Sequence, residues 1–199
     1  AYEIVSRDWS SDMCSSDLIS KCTALPDYYK KAKKIYDFRL VHVPEFLTAA
    51  NANKDYLHPE LIVIGGDLDD GTYYKNVVVQ ADKTNTMSTK FILTDIGTAS
   101  SMKYYANSFL ATKVIFNNQF AMWCSAQGIN WNNVAEIAKL DKRLGTTHWD
   151  VPGPDGMLGY GGHCFPKDIS AMTHSEFNHY LTLLKHQFHI NEQIRHKNN

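Results

Sequence analysis

The sequence predicts an α/β protein in which a partial open sheet is joined by one long helix to an all-helical part. Three observations carry this. Strand-sized apolar runs alternate with helical periodicity between residues 19 and 95, one periodic segment runs from about Thr98 to Gln127, and nothing beyond it has the period-two pattern of a strand. The chain therefore divides into an N-terminal segment (1–18), a sheet-bearing part (19–95) and a helical part (96–199).

Residues 5–18 repeat Ser-Ser-Asp at a five-residue offset and have neither helical nor strand period. They resemble translated adaptor sequence, and the segment is read as non-native or disordered. The plainer alternative is a polar loop; on the first reading nothing before about Ile19 carries function, Cys14 included.

From Ile19 the pattern changes. Ile19–Thr23 reads as a short strand, Asp27–Tyr36 as a helix with its lysines outward, and Leu40–Val43 as a second strand, which together make a βαβ unit. The second strand runs into Pro44-Glu45-Phe46-Leu47, so Glu45 is expected at the carboxyl edge of the sheet, where open α/β folds bind ligands. Leu61–Ile64 is a buried-strand run stopped by Gly65 and Gly66. Asp67–Gly71 is expected to be an acidic turn, solvated and without metal. Tyr73–Ala81 fits helix or strand, and Phe91–Leu93 is the last strand.

In the long segment Ala99, Met102, Ala106, Phe109, Leu110, Val114, Phe120, Ala121 and Cys124 fall largely at three- and four-residue steps, predicting one apolar face. Lys103 and Asn107 stand one turn apart. On periodicity alone Lys103 reads first as an exposed surface lysine, and second as an ammonium that points with the Asn107 amide at one substrate. Gly128 ends the helix, Trp131–Leu140 forms another, and 151–156 is a loop. From Asp168 onward the chain is expected to be helical through Phe177, Leu181, Leu184, Phe188 and Ile194. His179, His186, His189 and His196 lie on this helix, but with no acidic or cysteine partner the default is a solvated face and no metal site.

Composition narrows the partners. With 20 Lys+Arg against 21 Asp+Glu among 199 residues, the net charge of −1 provides no field for nucleic acid or an anionic membrane. The apolar runs are far short of the roughly 20 residues of a membrane span. Cys14, Cys22, Cys124 and Cys164 have no C-x-x-C spacing, which favours a reducing cytoplasm over a disulfide framework.

The most unusual stretch is Gly159-Tyr-Gly-Gly-His-Cys164-Phe-Pro-Lys-Asp168. Glycines let a backbone approach a ligand closely, and a thiol beside cations or a helix start is the kind that reacts as a nucleophile. Pro166 and Asp168 suit such a start, one in the first turn and one as cap. A glycine loop around an inert cysteine is the alternative.

Four motifs together, Pro44–Leu47, Lys103-Tyr-Tyr-Ala-Asn107, Asp141-Lys-Arg143-Leu-Gly145 and Gly159–Asp168, resemble the UDP-glucose/GDP-mannose dehydrogenase family over about 19–191. The resemblance implies the C-terminal part of a Rossmann-like domain followed by a dimerisation domain. It also implies NAD-dependent oxidation of a nucleotide sugar, UDP-glucose to UDP-glucuronate, through a Cys thiohemiacetal and thioester.

On that resemblance Cys164 is the nucleophile, Lys103 stabilises the alkoxide, Asn107 orients substrate or water, Asp168 assists proton transfer and Glu45 thioester hydrolysis. Phe46, Leu47 and Gly161 line the substrate, and Arg143 reaches a neighbouring subunit, implying a homodimer through the long helix. Thr23 and Lys167 touch the nicotinamide cofactor. No G-x-G-x-x-G follows a strand, so the chain is expected to be a fragment with little activity alone. The competing readings are a non-catalytic dimerisation module and a two-electron hydroxyacid or 6-phosphogluconate dehydrogenase relative, which lacks the cysteine.

Overall fold

The computed structural model describes residues 17–35, 38–48, 51–81 and 89–196. Cys14, Tyr36 and residues 1–16 of the N-terminal segment lie outside them. The chain forms two compact units that divide between Lys103 and Tyr104, within the long helix.

The first unit is a four-stranded sheet in chain order: β1 (Asp17–Ser20), β2 (Arg39–His42), β3 (Leu61–Gly65) and β4 (Lys90–Thr94). β1 and β2 pair in parallel across helix α1 (Pro26–Ile35), as the βαβ reading expects. The first strand starts two residues earlier than expected. Asp17 and Leu18 belong to β1 through the pairs Asp17↔Arg39 and Leu18↔Leu40, and an Asp17–Arg39 ion pair at 2.8 Å closes that end. β2 touches β3 antiparallel through His42↔Gly65 alone, whereas β3 and β4 run parallel over five residue pairs.

Helix α2 (Ala52–Leu57), unforeseen in the sequence, lies between β2 and β3. Helix α3 (Leu68–Ala81) resolves the ambiguous stretch as helix and corrects the acidic-turn expectation: Asp69 and Asp70 form its first turn. Acids favour that position because the first turn exposes backbone N–H groups and the positive end of the helix dipole. Val41, Val43 and Ile64 make the core, with Ile19, Ile62, Tyr74 and Phe91 packed around them.

His42 is buried at 1% exposure beside this core. Its Nδ1 lies 3.0 Å from the Tyr29 hydroxyl and 3.1 Å from the Ser20 carbonyl. Burial pushes its pKa down from 6.5 to about 4. The folded state thus takes up its proton later than the unfolded chain does as pH falls. The stabilisation is complete above pH 6.5 and drains away between there and about 4. Its limit is about 3 kcal/mol, from 1.36 kcal/mol per pKa unit. Urea unfolding at pH 7.5 and pH 5 shows this loss, and His42→Phe removes most of that pH dependence.

Helix α4 (Ile96–Ala126) begins at Asp95, whose carboxylate accepts from the Thr98 N–H at 2.9 Å and caps the first turn. The Thr98 hydroxyl and N–H hold that carboxyl below its usual range. In the first unit Ala99 is buried and the Ser100 hydroxyl donates to the Ala24 carbonyl. At the other end the Ile129 N–H reaches the Cys124 carbonyl and the Gly128 N–H that of Ser125, a Schellman closure with Gly128 at φ +71°. Gly128→Ala is expected to cost about 1 kcal/mol, read as a lower urea midpoint, since an L side chain is strained at that φ.

The single apolar face expected for α4 is not what forms. Ala99, Ala121 and Cys124 are buried, while Met102, Phe109 and Phe120 are exposed. The buried side also takes Asn107, Ser108, Asn117 and Asn118, while Tyr105, Phe109, Phe116, Phe120 and Trp123 form an aromatic stripe on the exposed side. Apolar and polar residues thus occur on both sides, and periodicity alone blurs.

The second unit adds α5 (Trp131–Ala138), α6 (Cys164–Thr173) and α7 (Thr182–His196). One core cluster gathers Ala121, Cys124, Trp131, Ala135 and Trp149, the other Ala111, Ile115, Tyr160 and Ile169. The expected continuous C-terminal helix is broken. A turn and a short 3₁₀ helix (Asn178–Tyr180) separate α6 from α7.

Candidate functional site

Among the described residues the expected site residues fall in both units, Glu45, Phe46, Leu47, Thr23 and Lys103 in the first and the others in the second. In the first unit β1 and β2 are parallel neighbours, so the residues just after them emerge at one sheet edge: Lys21 and Thr23 after β1, Glu45 to Leu47 after β2. The Lys103 ammonium donates to the Glu45 backbone carbonyl at 2.5 Å and stands 5.6 Å from the Phe46 ring centroid. The Glu45 carboxylate itself turns to Lys21 at 3.3 Å. Lys21 also covers the Tyr56 ring at 4.6 Å. Phe46 and Leu47 line a cavity of about 680 Å³ with Lys21, Tyr56, His58 and Ile62. Thr23 is half-buried.

In the second unit Cys164 is the first residue of α6 and its thiol is exposed. The helix starts earlier than expected. His163 occupies the cap position and Pro166 sits in the first turn, so Asp168 is not a cap but a buried residue of the second turn. At 1% exposure Asp168 accepts from the Asn107 amide and from the Lys167 ammonium, both at 2.5 Å. Asn107 and Asp168 thus meet across α4 and α6, and each carboxylate oxygen has a donor. Lys167, spent on that pair, remains 43% exposed in its side chain.

Arg143 is exposed. It grips Asp141 through Nε and Nη2, which holds the Asp141 carboxyl below its usual range and raises the guanidinium. Its turn is tied to α4 by Lys113, which donates to the Leu144 and Thr147 carbonyls and lies 4.3 Å from the Trp149 ring. Partial burial lowers the Lys113 pKa. Gly161 lies half-buried in the turn before Cys164.

His186 and His189 of α7 bond within their own helix. His186 lies 2.8 Å from the Thr182 carbonyl and His189 2.8 Å from the Gln193 amide. Among the described residues no three His, Cys, Asp or Glu converge as metal ligands, and no helix is long and apolar enough to cross a membrane.

Sequence reasoning missed Lys21, the partner of Glu45, although the parallel βαβ unit already places the residue after β1 beside the one after β2. It also missed Asn118 and Asn191. Their signal was an amide inside an apolar helical stripe, which a buried helix face accepts only with a partner.

The chain is similar to known proteins over most of its length. Residues 97–193 match the UDP-glucose/GDP-mannose dehydrogenase family, central domain. It is 36% identical to the UDP-glucose 6-dehydrogenase of Rickettsia bellii over 162 residues, 81% of this chain and 35% of that enzyme. Among solved structures, a UDP-glucose dehydrogenase from Pyrobaculum islandicum superposes with a TM-score of 0.72 at 27% identity, over 89% of this chain and 41% of that one. A UDP-D-ManNAc dehydrogenase from Pyrococcus horikoshii shares the fold, with a TM-score of 0.70 at 22% identity over 88% and 41%. The chain thus spans 35% to 41% of the length of these relatives. Over residues 97–193 the chain belongs to the UDP-glucose/GDP-mannose dehydrogenase family, as its central domain.

Proposed function

We propose that this chain carries the catalytic segment of a UDP-glucose 6-dehydrogenase, which oxidises the primary alcohol of a nucleotide sugar to a carboxylate. The carrying observation is Cys164: an exposed thiol at a helix start, in the same unit as a buried, doubly hydrogen-bonded carboxylate. When bound, NAD accepts the hydride in each of the two oxidations. Thr23 and Lys167 are the residues that the family resemblance assigns to the nicotinamide end, and no G-x-G-x-x-G phosphate turn follows a strand in the sequence.

The chain's own residues do the rest. The Cys164 sulfur adds to the aldehyde carbon as the carbonyl oxygen takes a proton, giving a thiohemiacetal. Loss of hydride and of the hydroxyl proton leaves the thioester. Water then adds, the C–S bond breaks, and carboxylate and thiol separate. Lys103 stabilises the developing alkoxide, Asn107 orients substrate or water, and Asp168 moves the proton. Glu45 assists hydrolysis once its carboxylate leaves Lys21. Phe46, Leu47 and Gly161 contact the sugar nucleotide.

The aromatic stripe of α4, with Phe109 and Phe116 about 60% exposed, supports a homodimer in which Arg143 serves the partner's site. Light scattering is expected to show a dimer that becomes a monomer on Phe109→Lys with Phe116→Lys.

The test is a chimera in which residues 19–193 replace the matching segment of the Rickettsia bellii enzyme. It is expected to reduce two NAD per UDP-glucose, while the chain alone shows little turnover. A folded chimera that binds both ligands and releases no NADH contradicts the reading.

A further inference from the structure

The glycine turn that leads into Cys164 is held by side chains other than those of Cys164, Asn107 and Asp168. Asn118 on α4 is fully buried. Its Oδ1 accepts from the Gly159 N–H at 2.9 Å, and its Nδ2 donates to the Val114 carbonyl at 2.8 Å. Asn191 on α7 is 2% exposed, and its Oδ1 accepts from the next N–H, that of Tyr160, at 2.8 Å. Two consecutive amides therefore meet acceptors from two different helices. One turn further along α7, Arg195 donates to the Asp155 carboxylate at 2.7 Å and to the Leu158 carbonyl at 3.4 Å, drawing the preceding loop onto the same helix.

The glycine answers to this contact. Gly159 has φ +77°, and a Cβ there would lie 2.5 Å from the Asn191 Oδ1. Only a residue without a side chain lets that oxygen reach the Tyr160 amide. Downstream, the turn is fixed again by packing: Tyr160 is buried in one cluster with Ile169 of α6, and its ring meets that of Phe165 edge-on at 6.2 Å. The four residues 161–164 thus run between a backbone clamped by amides and a helix docked on the same core.

We propose that Asn118 and Asn191 are positioning residues, which set the direction of the Gly159–His163 turn and through it the direction of the Cys164 thiol. What each must supply is an acceptor oxygen. A buried N–H without one is costly, so losing either acceptor loosens the turn rather than repacking it. The geometry of the clamp stands by itself; its consequence for catalysis rests on the role proposed above for Cys164.

Hydrogen–deuterium exchange on this chain tests the clamp without any activity. In Asn191→Ala, exchange across 158–163 is expected to quicken by roughly tenfold, with that of β3 and β4 unchanged. Asn191→Asp keeps the acceptor and is expected to restore most of the protection, which a merely space-filling role would not do. Gly159→Ala attacks the same contact from the turn, so the test survives if one variant fails to fold.

Alkylation of Cys164 by iodoacetamide, read by mass spectrometry against Cys22 in the same chain, is expected to depart from wild type about threefold or more in Asn191→Ala and to return in Asn191→Asp. Unchanged exchange or an unchanged alkylation ratio in Asn191→Ala overturns the proposal. So does an Asp variant as loose as the Ala variant.

Discussion

In the chimeric enzyme Cys164→Ala is expected to lower production of the sugar carboxylate by at least about 10³-fold, the scale on which removing an enzyme's nucleophile acts. In the proposed mechanism the thiol holds the aldehyde carbon in a form that can lose a second hydride, which no neighbouring group replaces. Cys164 is exposed at the first position of α6 and outside both core clusters of its unit. Truncating it therefore opens no cavity. Melting temperature is expected to stay at the wild-type value while turnover vanishes, so that circular dichroism and NADH absorbance together separate chemistry from folding.

The second large effect is on stability. Asn107→Leu is expected to cost the helical unit about 3 kcal/mol, because it leaves the Asp168 carboxylate at 1% exposure with the half-exposed Lys167 as its remaining donor. Asp168→Asn keeps an oxygen for the Asn107 amide and is expected to cost under about 1 kcal/mol. The asymmetry is informative. If the pair were simply two polar side chains in contact, both changes would cost the same; the buried charge makes removal of its donor the expensive one. Urea unfolding followed by tryptophan fluorescence reads this within the unit, since Trp131 and Trp149 stack in its core at 6.2 Å between centroids.

Local pattern revealed those elements whose residues agree with their surroundings. Leu61–Ile64 is apolar throughout and becomes a central strand, and Pro26–Ile35 places its lysines outward around one buried tyrosine. The failures have distinct causes. Ala52–Leu57 buries nothing and has no capping side-chain hydrogen bond, so α2 left no apolar period to find. Asp67–Gly71 looked like a turn because glycine and aspartate cluster there. Instead Gly71 is buried as a helical residue, with a Cβ position 3.4 Å from Ile64. The glycine serves close packing of α3 on the sheet.

α4 misled for the opposite reason. Tyr105, Phe109, Phe116, Phe120 and Trp123 face outward while Ser100, Asn107, Ser108, Asn117 and Asn118 are buried, so the steps of three and four mixed two faces.

At the site, residue types and order in the chain were enough to single out Cys164, Asn107 and Asp168, because a glycine turn, a helix start and a one-turn spacing are local features. Their partners were not visible. That Asp168 is a buried acceptor rather than a cap depends on α6 starting at Cys164, four residues earlier than expected. That Glu45 turns to Lys21, and that Arg143 grips its own Asp141, are choices among neighbours that only the folded chain presents. Asn118 and Asn191 stand 41 and 31 residues from the amides they hold.

The central claim is that Cys164 forms a covalent bond to the sugar during turnover. It is tested most directly by quenching the chimera in acid while it oxidises UDP-glucose, then mapping the modified peptide by mass spectrometry. The prediction is a sugar-nucleotide acyl group on the peptide bearing Cys164, present with NAD and absent both without it and in Cys164→Ala. Steady turnover of UDP-glucose to the carboxylate by Cys164→Ala, or an adduct on any other residue, would contradict it.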